Sequence, residues 1–330
     1  MKSEAAPPIS REPLKGIRGL DEMAEWKTKP IGLRYSLSYL KVFQARFTAI
    51  ENSRPFDPHR TAVREPQPPA QGVPRGYDVI VIRHELLQEN IPVLQRLPNL
   101  LRYAPRQLLH YYTDLQSSLF QGMSAKTRAT LARKVRNYRE FCKGEIHWRV
   151  YRTPAEIETY LTLARELARK TYQERLFDSG LPDTDEFRRR ALELAARDAV
   201  RAFLLFHHDK PVAYLYTPAP DGFLVYDYLG YDPEYASHSP GTVLQYMAPE
   251  MLHAEKRFPL YYWGYGYTQT KKVFSTGEVL GADIYYFRPT LRNQIAVRLH
   301  YAMDRFSERM GVLLDRMSLR GIIKRWLRKQ

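Results

Sequence analysis

A series of helix and strand signals between residues 153 and 288 constrains the fold more than any other feature of the sequence. Thr153-Pro154-Ala155-Glu156 combines a capping box with proline at the first helical position, which predicts a helix start. Asp183-Thr184-Asp185-Glu186 predicts a second helix, to about residue 198. Turn-forming residues then separate three strand-like runs, which predict an antiparallel meander over residues 201–207, 212–217 and 223–229.

The elements after the meander complete a mixed pattern. A helix is predicted from Ser239 to about Lys256, a strand over 260–264, a short helix over 269–275 and a strand over 282–288. The predicted order is therefore ααβββαβαβ. This order indicates an α/β (α+β) fold in which helices flank a mixed central sheet.

The rest of the chain is divided by weaker signals. Residues 1–30 are predicted to be a flexible tail, and residues 31–152 an N-terminal lobe with a helix through 33–51, a Pro-rich exposed loop over 54–76 and strands over 77–83 and 108–113. The series over 77–151 would also suit a degenerate copy of the unit at 153–288. Residues 289–330 are predicted to form a basic amphipathic helix, with an apolar stripe from Leu291 to Met317.

Composition limits the partners and the compartment. Lys and Arg exceed Asp and Glu by 51 to 36, a net charge of +15 that favours an anionic partner such as nucleic acid, a phosphorylated cofactor or an acidic membrane surface. Cys142 is the single cysteine, so no intramolecular disulfide is expected, and no Cys/His spacing predicts a metal site. The lack of a leader and of long apolar runs predicts a cytoplasmic protein.

Two basic segments stand out. After Ser124, apolar residues recur at helical spacing among many lysines and arginines up to Cys142, which predicts a strongly basic amphipathic helix. The terminal segment 322–329 sets Trp326 among basic residues, a composition that suits peripheral attachment to the anionic inner face of a membrane. A solvated tail explains that segment equally simply.

The sequence Ser239-Pro240-Gly241-Thr242 marks the best-supported candidate site. Ser239 is predicted to cap the helix, Pro240 occupies its first turn, and the N–H groups of Gly241 and Thr242 are predicted to stay accessible. A helix N-terminus offers unpaired donors and a positive dipole to a pyrophosphate. Taken alone, the tetrapeptide also fits an ordinary helix start.

Four stretches, one of which contains this tetrapeptide, resemble a known family. The chain is similar to the CelD-like branch of the GNAT acyltransferases, found in bacterial exopolysaccharide gene clusters and related to the Fem-type peptidoglycan-bridge aminoacyltransferases. The resemblance covers roughly residues 100–288 and is carried by Thr171-Tyr172-Gln173, by Tyr226-Asp227-Tyr228-Leu229-Gly230-Tyr231-Asp232-Pro233-Glu234-Tyr235, by Ser239-Pro240-Gly241-Thr242-Val243-Leu244 and by Lys271-Lys272-Val273-Phe274.

The resemblance implies a GNAT fold and an acyltransferase that uses acetyl-CoA or another acyl-CoA, without a metal. It implies that the cofactor is held by Tyr228, Leu229, Tyr231, Ser239, Gly241, Thr242 and Lys271. Two departures weaken it. His238-Ser239-Pro240-Gly241-Thr242 replaces the usual Gln/Arg-x-x-Gly-x-Gly/Ala loop, and Tyr261-Tyr262-Trp263-Gly264 lacks the acid that relatives carry before the Lys-x-x-Phe element.

Acyl transfer needs a base and an acid that protonates the leaving thiolate. Asp227, an acid within an aromatic strand, is the candidate base, and Tyr265 or Tyr267 the candidate acid. Tyr172 and Gln173 are predicted to line the acceptor pocket. Asp232 suits a turn better than catalysis, and His207-His208 lacks a nucleophile signature.

Three functions follow from this pattern. The first is transfer of an acyl group from acyl-CoA to an amine or hydroxyl of a surface-polysaccharide precursor or another small acceptor. The second is a Fem-like transferase that uses aminoacyl-tRNA, for which the basic helix after Ser124 would supply phosphate contacts. The third is a catalytically degenerate GNAT-fold binding or scaffold protein.

Overall fold

The computed structural model describes residues 26–37, 40–52, 55–117, 119–120, 122–171 and 180–316. Its strands are β1 (Trp26–Leu37), β2 (Leu40–Asn52), β3 (Val79–Leu87), β4 (Leu94–Arg96), β5 (Leu101–Tyr103), β6 (Gln107–Asp114), β7 (Trp148–Tyr151), β8 (Val200–His207), β9 (Lys210–Pro218), β10 (Leu224–Val225), β11 (Tyr228–Tyr231), β12 (Leu260–Tyr265) and β13 (Gly277–Phe287). Its α-helices are α1 (Ala125–Phe141), α2 (Pro154–Ala168), α3 (Asp185–Ala196), α4 (Pro240–Glu255), α5 (Gln269–Phe274) and α6 (Leu291–Arg316), and a 3₁₀ helix spans Pro233–His238.

Contacts divide the described chain into two compact units. One contains the residues up to Gln107 and those from Leu280 onward, and the other contains Leu108–Val279. These boundaries differ from the predicted limits at 152/153 and 288/289. The difference arises because α1 and β7 pack into the core of the second unit.

The first unit is built on β-strands where a helix was expected. β1 and β2 form an antiparallel hairpin, β3 pairs in parallel with β2, and β13 pairs antiparallel with β3 and β5. The prediction of a helix through 33–51 is therefore wrong, and residues 26–30 of the predicted tail belong to β1. Burial alternates along β1, with Ile31, Leu33 and Tyr35 inside, which is the period of a strand.

The proline-rich segment after Arg54 has no helix or strand, as predicted, but it is partly buried rather than simply exposed. Phe56 is buried. Tyr286 donates a hydrogen bond from its hydroxyl to the carbonyl of Pro66 at 3.2 Å, and the Arg288 guanidinium donates to the carbonyl of Val73 at 3.3 Å. The segment is thus fixed against the end of β13.

The second unit has a sheet that is covered on both faces. β7, β8, β9 and β11 form an antiparallel sheet in the order β11-β9-β8-β7. Along β8, Ala202 and Leu204 pack on the side of α2 and α3, while Phe203 and Leu205 pack on the side of α1 and α4. Two-sided burial explains why β8 is apolar from Ala202 to Phe206.

Helix starts in this unit agree with the sequence signals. Thr153 and Glu156 form the predicted capping box of α2, Thr184 caps α3, and Ser124 caps α1. The strand at 260–264 and the short helix at 269–275 are also found, as β12 and α5. Among the helices in the described ranges, none has an apolar stretch long enough to cross a membrane.

Candidate functional site

The third strand of the predicted meander changes sheets halfway along its length. β10 pairs in parallel with β12, whereas β11, which follows after two residues, pairs antiparallel with β9. The change falls between adjacent residues: the Tyr226 N–H donates to the Tyr262 carbonyl at 2.8 Å, and the Asp227 N–H donates to the Tyr216 carbonyl at 3.3 Å. The prediction of one continuous strand is therefore wrong, and Asp227 lies where the two sheets part.

Tyr216 and Tyr228 lie near the carboxyl group of Asp227. Phe187 of α3 packs against Tyr216 and Tyr228, with ring centroids 5.2 and 5.7 Å apart. Asp227 itself remains exposed to solvent, yet the crowding of its carboxyl by protein atoms raises its pKa to about 6, against the opposing effect of the Arg190 cation. A carboxylate with this pKa is ionised at neutral pH and basic enough to take a proton.

Contacts with α4 and β12 hold the backbone at the sheet change in place. Gln245 of α4 donates a hydrogen bond to the Tyr226 hydroxyl at 2.8 Å, and burial raises the pKa of Tyr226 to about 12. The Tyr226 ring lies 5.2 Å from that of Trp263. Trp263 in turn donates to the Thr113 hydroxyl at 2.8 Å. The residue before Asp227 is therefore fixed to both α4 and β12.

The start of α4 differs from the prediction in its capping. Ser239 adopts a left-handed backbone conformation and makes no side-chain cap hydrogen bond, because the 3₁₀ helix ending at His238 turns directly into α4 there. The Thr242 N–H donates to the Ser239 carbonyl at 3.0 Å and is not free. Gly241 keeps the only first-turn N–H of α4 that has no acceptor among the described residues, since Pro240 has none.

Three predicted cofactor residues meet at Gly241. A β-carbon at this position would lie 3.1 Å from Cδ1 of Tyr231 and 3.4 Å from Cδ2 of Leu229, so the helix start packs closely on β11. Tyr228, the third predicted residue on β11, lies beside Asp227 instead. Ser239 lies two residues before Gly241, and Thr242 follows it directly. The chain runs from the sheet change along β11 and through the 3₁₀ helix to α4.

The remaining predicted residues form a second group at the end of β12. Lys271 donates from Nζ to the Tyr265 carbonyl at 2.6 Å, and burial lowers the pKa of its amine. Tyr265 and Tyr267 are 52% and 68% exposed, and Tyr267 donates its hydroxyl hydrogen bond to Gln269 at 2.9 Å. No hydrogen bond in the described chain joins either tyrosine to Asp227, so their role as acid stays a prediction.

Some predicted residues lie elsewhere. Tyr172 and Gln173 fall in 172–179, outside the described residues. Asp232 is a turn residue, as expected: it is 2% exposed, accepts a hydrogen bond from the Glu234 N–H at 3.1 Å and pairs with Lys210 at 3.1 Å. The described residues contain no group of His, Cys, Asp and Glu arranged to hold a metal.

Sequence reasoning missed the residues that shape the surroundings of Asp227. Tyr216 pairs with Tyr228 across β9 and β11, and Phe187 and Arg190 come from the first turns of α3. The period-two pattern of β9 places Tyr214 and Tyr216 on one face, which was the available signal. Their neighbourhood with Asp227 depends on the sheet change, which has no local signal.

Comparison with known proteins gives one family match, which lies within the second unit. The family model for an acetyltransferase (GNAT) domain matches residues 125–272, which contain α1 through most of α5. A search of curated proteins found no match.

Several solved structures show partial likeness to the chain. A crystal structure of FemX has 11% identity and a TM-score of 0.45, over 83% of this chain and 90% of that one. The C-terminal domain of a putative lysylphosphatidylglycerol synthetase from Agrobacterium fabrum has 9% identity and a TM-score of 0.44, over 67% and 71%. L-PGS from Bacillus licheniformis has 14% and 0.42, over 68% and 73%. Identities and TM-scores this low give no information about the donor or the acceptor of this chain.

The family match and the architecture of the second unit agree. Its covered mixed α/β arrangement, its sheet change at Asp227 and the helix that follows β11 all lie within the matched residues. Residues 125–272 therefore match the family model of a GNAT acetyltransferase domain.

Proposed function

We propose that this domain transfers an acyl group from an acyl-CoA to an amine or hydroxyl of a small acceptor. The observation that carries the proposal is the placement of Asp227 at the point where the strand leaves β12 for β9. A desolvated carboxylate that still reaches solvent can accept a proton from an incoming nucleophile.

The residues around β11 suit the chemical groups of an acyl-CoA. In the described chain, β11 is an edge strand that pairs with β9 only. Its free edge offers backbone donors and acceptors to an extended arm that carries amide groups. The Gly241 N–H at the start of α4 offers a donor to a pyrophosphate. Lys271 could add a positive charge.

Asp227 and the two tyrosines at the end of β12 and just after it divide the proton transfers. Asp227 takes the proton of the acceptor amine or hydroxyl as its nitrogen or oxygen forms the new bond to the acyl carbon. The C–S bond of the thioester breaks, and Tyr265 or Tyr267 gives a proton to the sulfur. Acyl-CoA supplies the activated acyl group. The nature of the acceptor rests on the sequence resemblance alone, which favours an amino sugar or another surface-polysaccharide precursor.

Calorimetric titration with acetyl-CoA and longer acyl-CoAs tests the donor. We expect the folded wild-type protein to bind, and Gly241→Val to weaken binding by about 10-fold or more, because the new side chain must displace Tyr231 and Leu229, two of the residues predicted to hold the cofactor. Gly122→Val is the matched control, since nothing lies within 4 Å of its β-carbon position. A folded protein that binds no acyl-CoA would rule out the donor.

Aminoacyl-tRNA remains the second candidate donor, because the structure exposes a basic face on α1. Arg133, Arg136 and Arg139 are exposed on this helix, which packs beside α4 through Leu131 and Tyr138. Filter binding of tRNA at rising salt tests this reading, since phosphate contacts give a steep salt dependence. The absence of tRNA binding at low salt would exclude it.

A further inference from the structure

The helix α6 has one buried face and one exposed apolar face. Asn293, Val297 and His300 are buried on the side that packs against β1, where the His300 ring bonds the Tyr103 hydroxyl through Nδ1 at 2.6 Å. The opposite side leaves four large apolar side chains to solvent: Leu291 is 75% exposed, Ile295 58%, Leu299 43% and Phe306 54%.

These four residues form one stripe. Intervals of four and seven residues bring positions 291, 295, 299 and 306 onto the same side of an α-helix, and the exposed Ala302 falls between them. Isolated exposed apolar side chains need no explanation, but a contiguous row over four turns of one helix marks an interaction surface. We call this row the α6 stripe.

A row of arginines follows one border of the α6 stripe. Arg298, Arg305 and Arg309 are exposed, and helical spacing places them side by side along the helix. None of them forms an ion pair among the described residues. The exposed positions of α6 whose side chains are described hold no Asp or Glu. Asp304, which pairs with His300 at 3.4 Å, lies on the side of the buried face.

We propose that the α6 stripe and its arginine row dock on an anionic lipid bilayer, with α6 lying in the plane of the interface. An apolar face bordered by unpaired cations matches the boundary between acyl chains and acidic headgroups. In a second copy, the four apolar residues of the α6 stripe and the three arginines beside it would supply apolar contacts but no carboxylate for the arginines. A polyanion such as nucleic acid would leave the apolar stripe in water.

Vesicle cosedimentation of the full chain tests the proposal. The probes are vesicles of phosphatidylcholine alone and of phosphatidylcholine with about 30% phosphatidylglycerol, a composition chosen to give a negative surface potential. We expect binding to the anionic vesicles that weakens as salt rises. Arg298→Gln/Arg305→Gln/Arg309→Gln should reduce this binding by about 10-fold or more. Ile295→Ser/Leu299→Ser/Phe306→Ser, which keeps every charge, should reduce it to a similar extent.

Two matched variants separate this face from charge in general. Arg133→Gln/Arg136→Gln/Arg139→Gln removes the same three charges from α1 and should bind vesicles like the wild type. Lys324→Gln/Arg325→Gln/Arg328→Gln/Lys329→Gln tests the terminal segment, which lies outside the described residues. Because all changed residues of α6 are exposed, circular dichroism and thermal unfolding should show folded variants.

Three results would overturn the proposal. One is a lack of wild-type binding to anionic vesicles at low salt. The second is binding that both α6 variants retain in full, whether or not the terminal variant loses it. The third is a wild-type dimer in light scattering that becomes monomeric with the serine variant, which would assign the stripe to a second copy.

Discussion

Replacing Asp227 by Asn should remove both the base and its pH dependence. With a pKa of about 6, the carboxyl is about 90% ionised at pH 7 and about 10% at pH 5. Wild-type acyl transfer should therefore fall about 10-fold from pH 7 to pH 5, whereas an unperturbed aspartate, with a pKa of about 3.9, would still be about 90% ionised at pH 5. Loss of a general base lowers the rate by about 10²–10⁴-fold, so Asp227→Asn should be slow at every pH.

The titration of Asp227 can be followed without knowing the acceptor. In protein labelled with ¹³C at aspartate carboxyl groups, the resonance missing from Asp227→Asn should titrate with a midpoint near 6. Arg190→Ala should move that midpoint upward, because the Arg190 cation favours the ionised form, while the exposed neighbour Arg189→Ala should leave it unchanged. A midpoint near 4, or an Asn variant with wild-type thiol release, would refute the assignment of Asp227 as a desolvated base.

Stability should follow the same proton with a definite sign. Because the folded protein raises this pKa, it favours the protonated carboxyl, and the resulting stabilisation is full below about pH 4 and lost as pH rises through about 6. As pH rises from about 4 through about 6, the unfolding free energy of the wild type should therefore fall relative to that of Asp227→Asn. Urea unfolding at several pH values measures it, and a shift of the opposite sign would contradict the raised pKa.

Three further substitutions test contacts that position the site. Arg201 is 1% exposed and donates to Glu255 Oε2 at 3.0 Å. Glu255→Gln should lower the unfolding free energy, measured in urea, by about 3 kcal/mol, at the low end of the range for a broken buried pair because Asp198 stays bonded to Arg201. Glu193→Gln, in an exposed pair with Arg189, should lower it by less than about 1 kcal/mol. Gln245→Leu leaves the Tyr226 hydroxyl without its donor and should cost about 1–3 kcal/mol, less when combined with Tyr226→Phe; equal costs would show that the bond is unimportant. Gly230→Ala places a β-carbon 2.4 Å from Cε1 of Tyr214 and should destabilise the unit by about 1–3 kcal/mol, whereas Gly122→Ala should be nearly neutral by thermal unfolding.

Local sequence signals were enough to predict where α1, α2 and α3 of the second unit begin. Thr153, Thr184 and Ser124 each bond a backbone N–H three residues ahead, a contact that the sequence spacing states directly. In the first unit the same reasoning failed. Phe43 and Phe47 of β2 are four residues apart, an interval that places two side chains on one face of a strand and also on one side of a helix, so they imitated a helical period.

The geometry of the candidate site was less accessible to sequence reasoning. The segment from Phe223 to Tyr231 has uniform strand character, and whether a given N–H pairs with β12 or β9 is decided by tertiary contacts. The left-handed conformation of Ser239 depends on the preceding 3₁₀ helix in the same way. Gly241, Leu229 and Tyr231 were each named from the sequence, but the close packing of the glycine on the two side chains appears only in three dimensions.

The sheet change explains how one carboxyl group can be both desolvated and reachable. An aspartate within a continuous strand would point either into the covered core, where its charge would be costly, or to solvent, where its pKa would be ordinary. At Asp227 the backbone is committed to β9 through its own N–H, while its neighbour Tyr226 is held by β12 and α4. The side chain therefore lies where the two sheets part, near Tyr216 and Tyr228, and remains exposed to solvent. A proton acceptor for acyl transfer needs both conditions, because the acceptor must enter and the base must be neither fully hydrated nor fully enclosed.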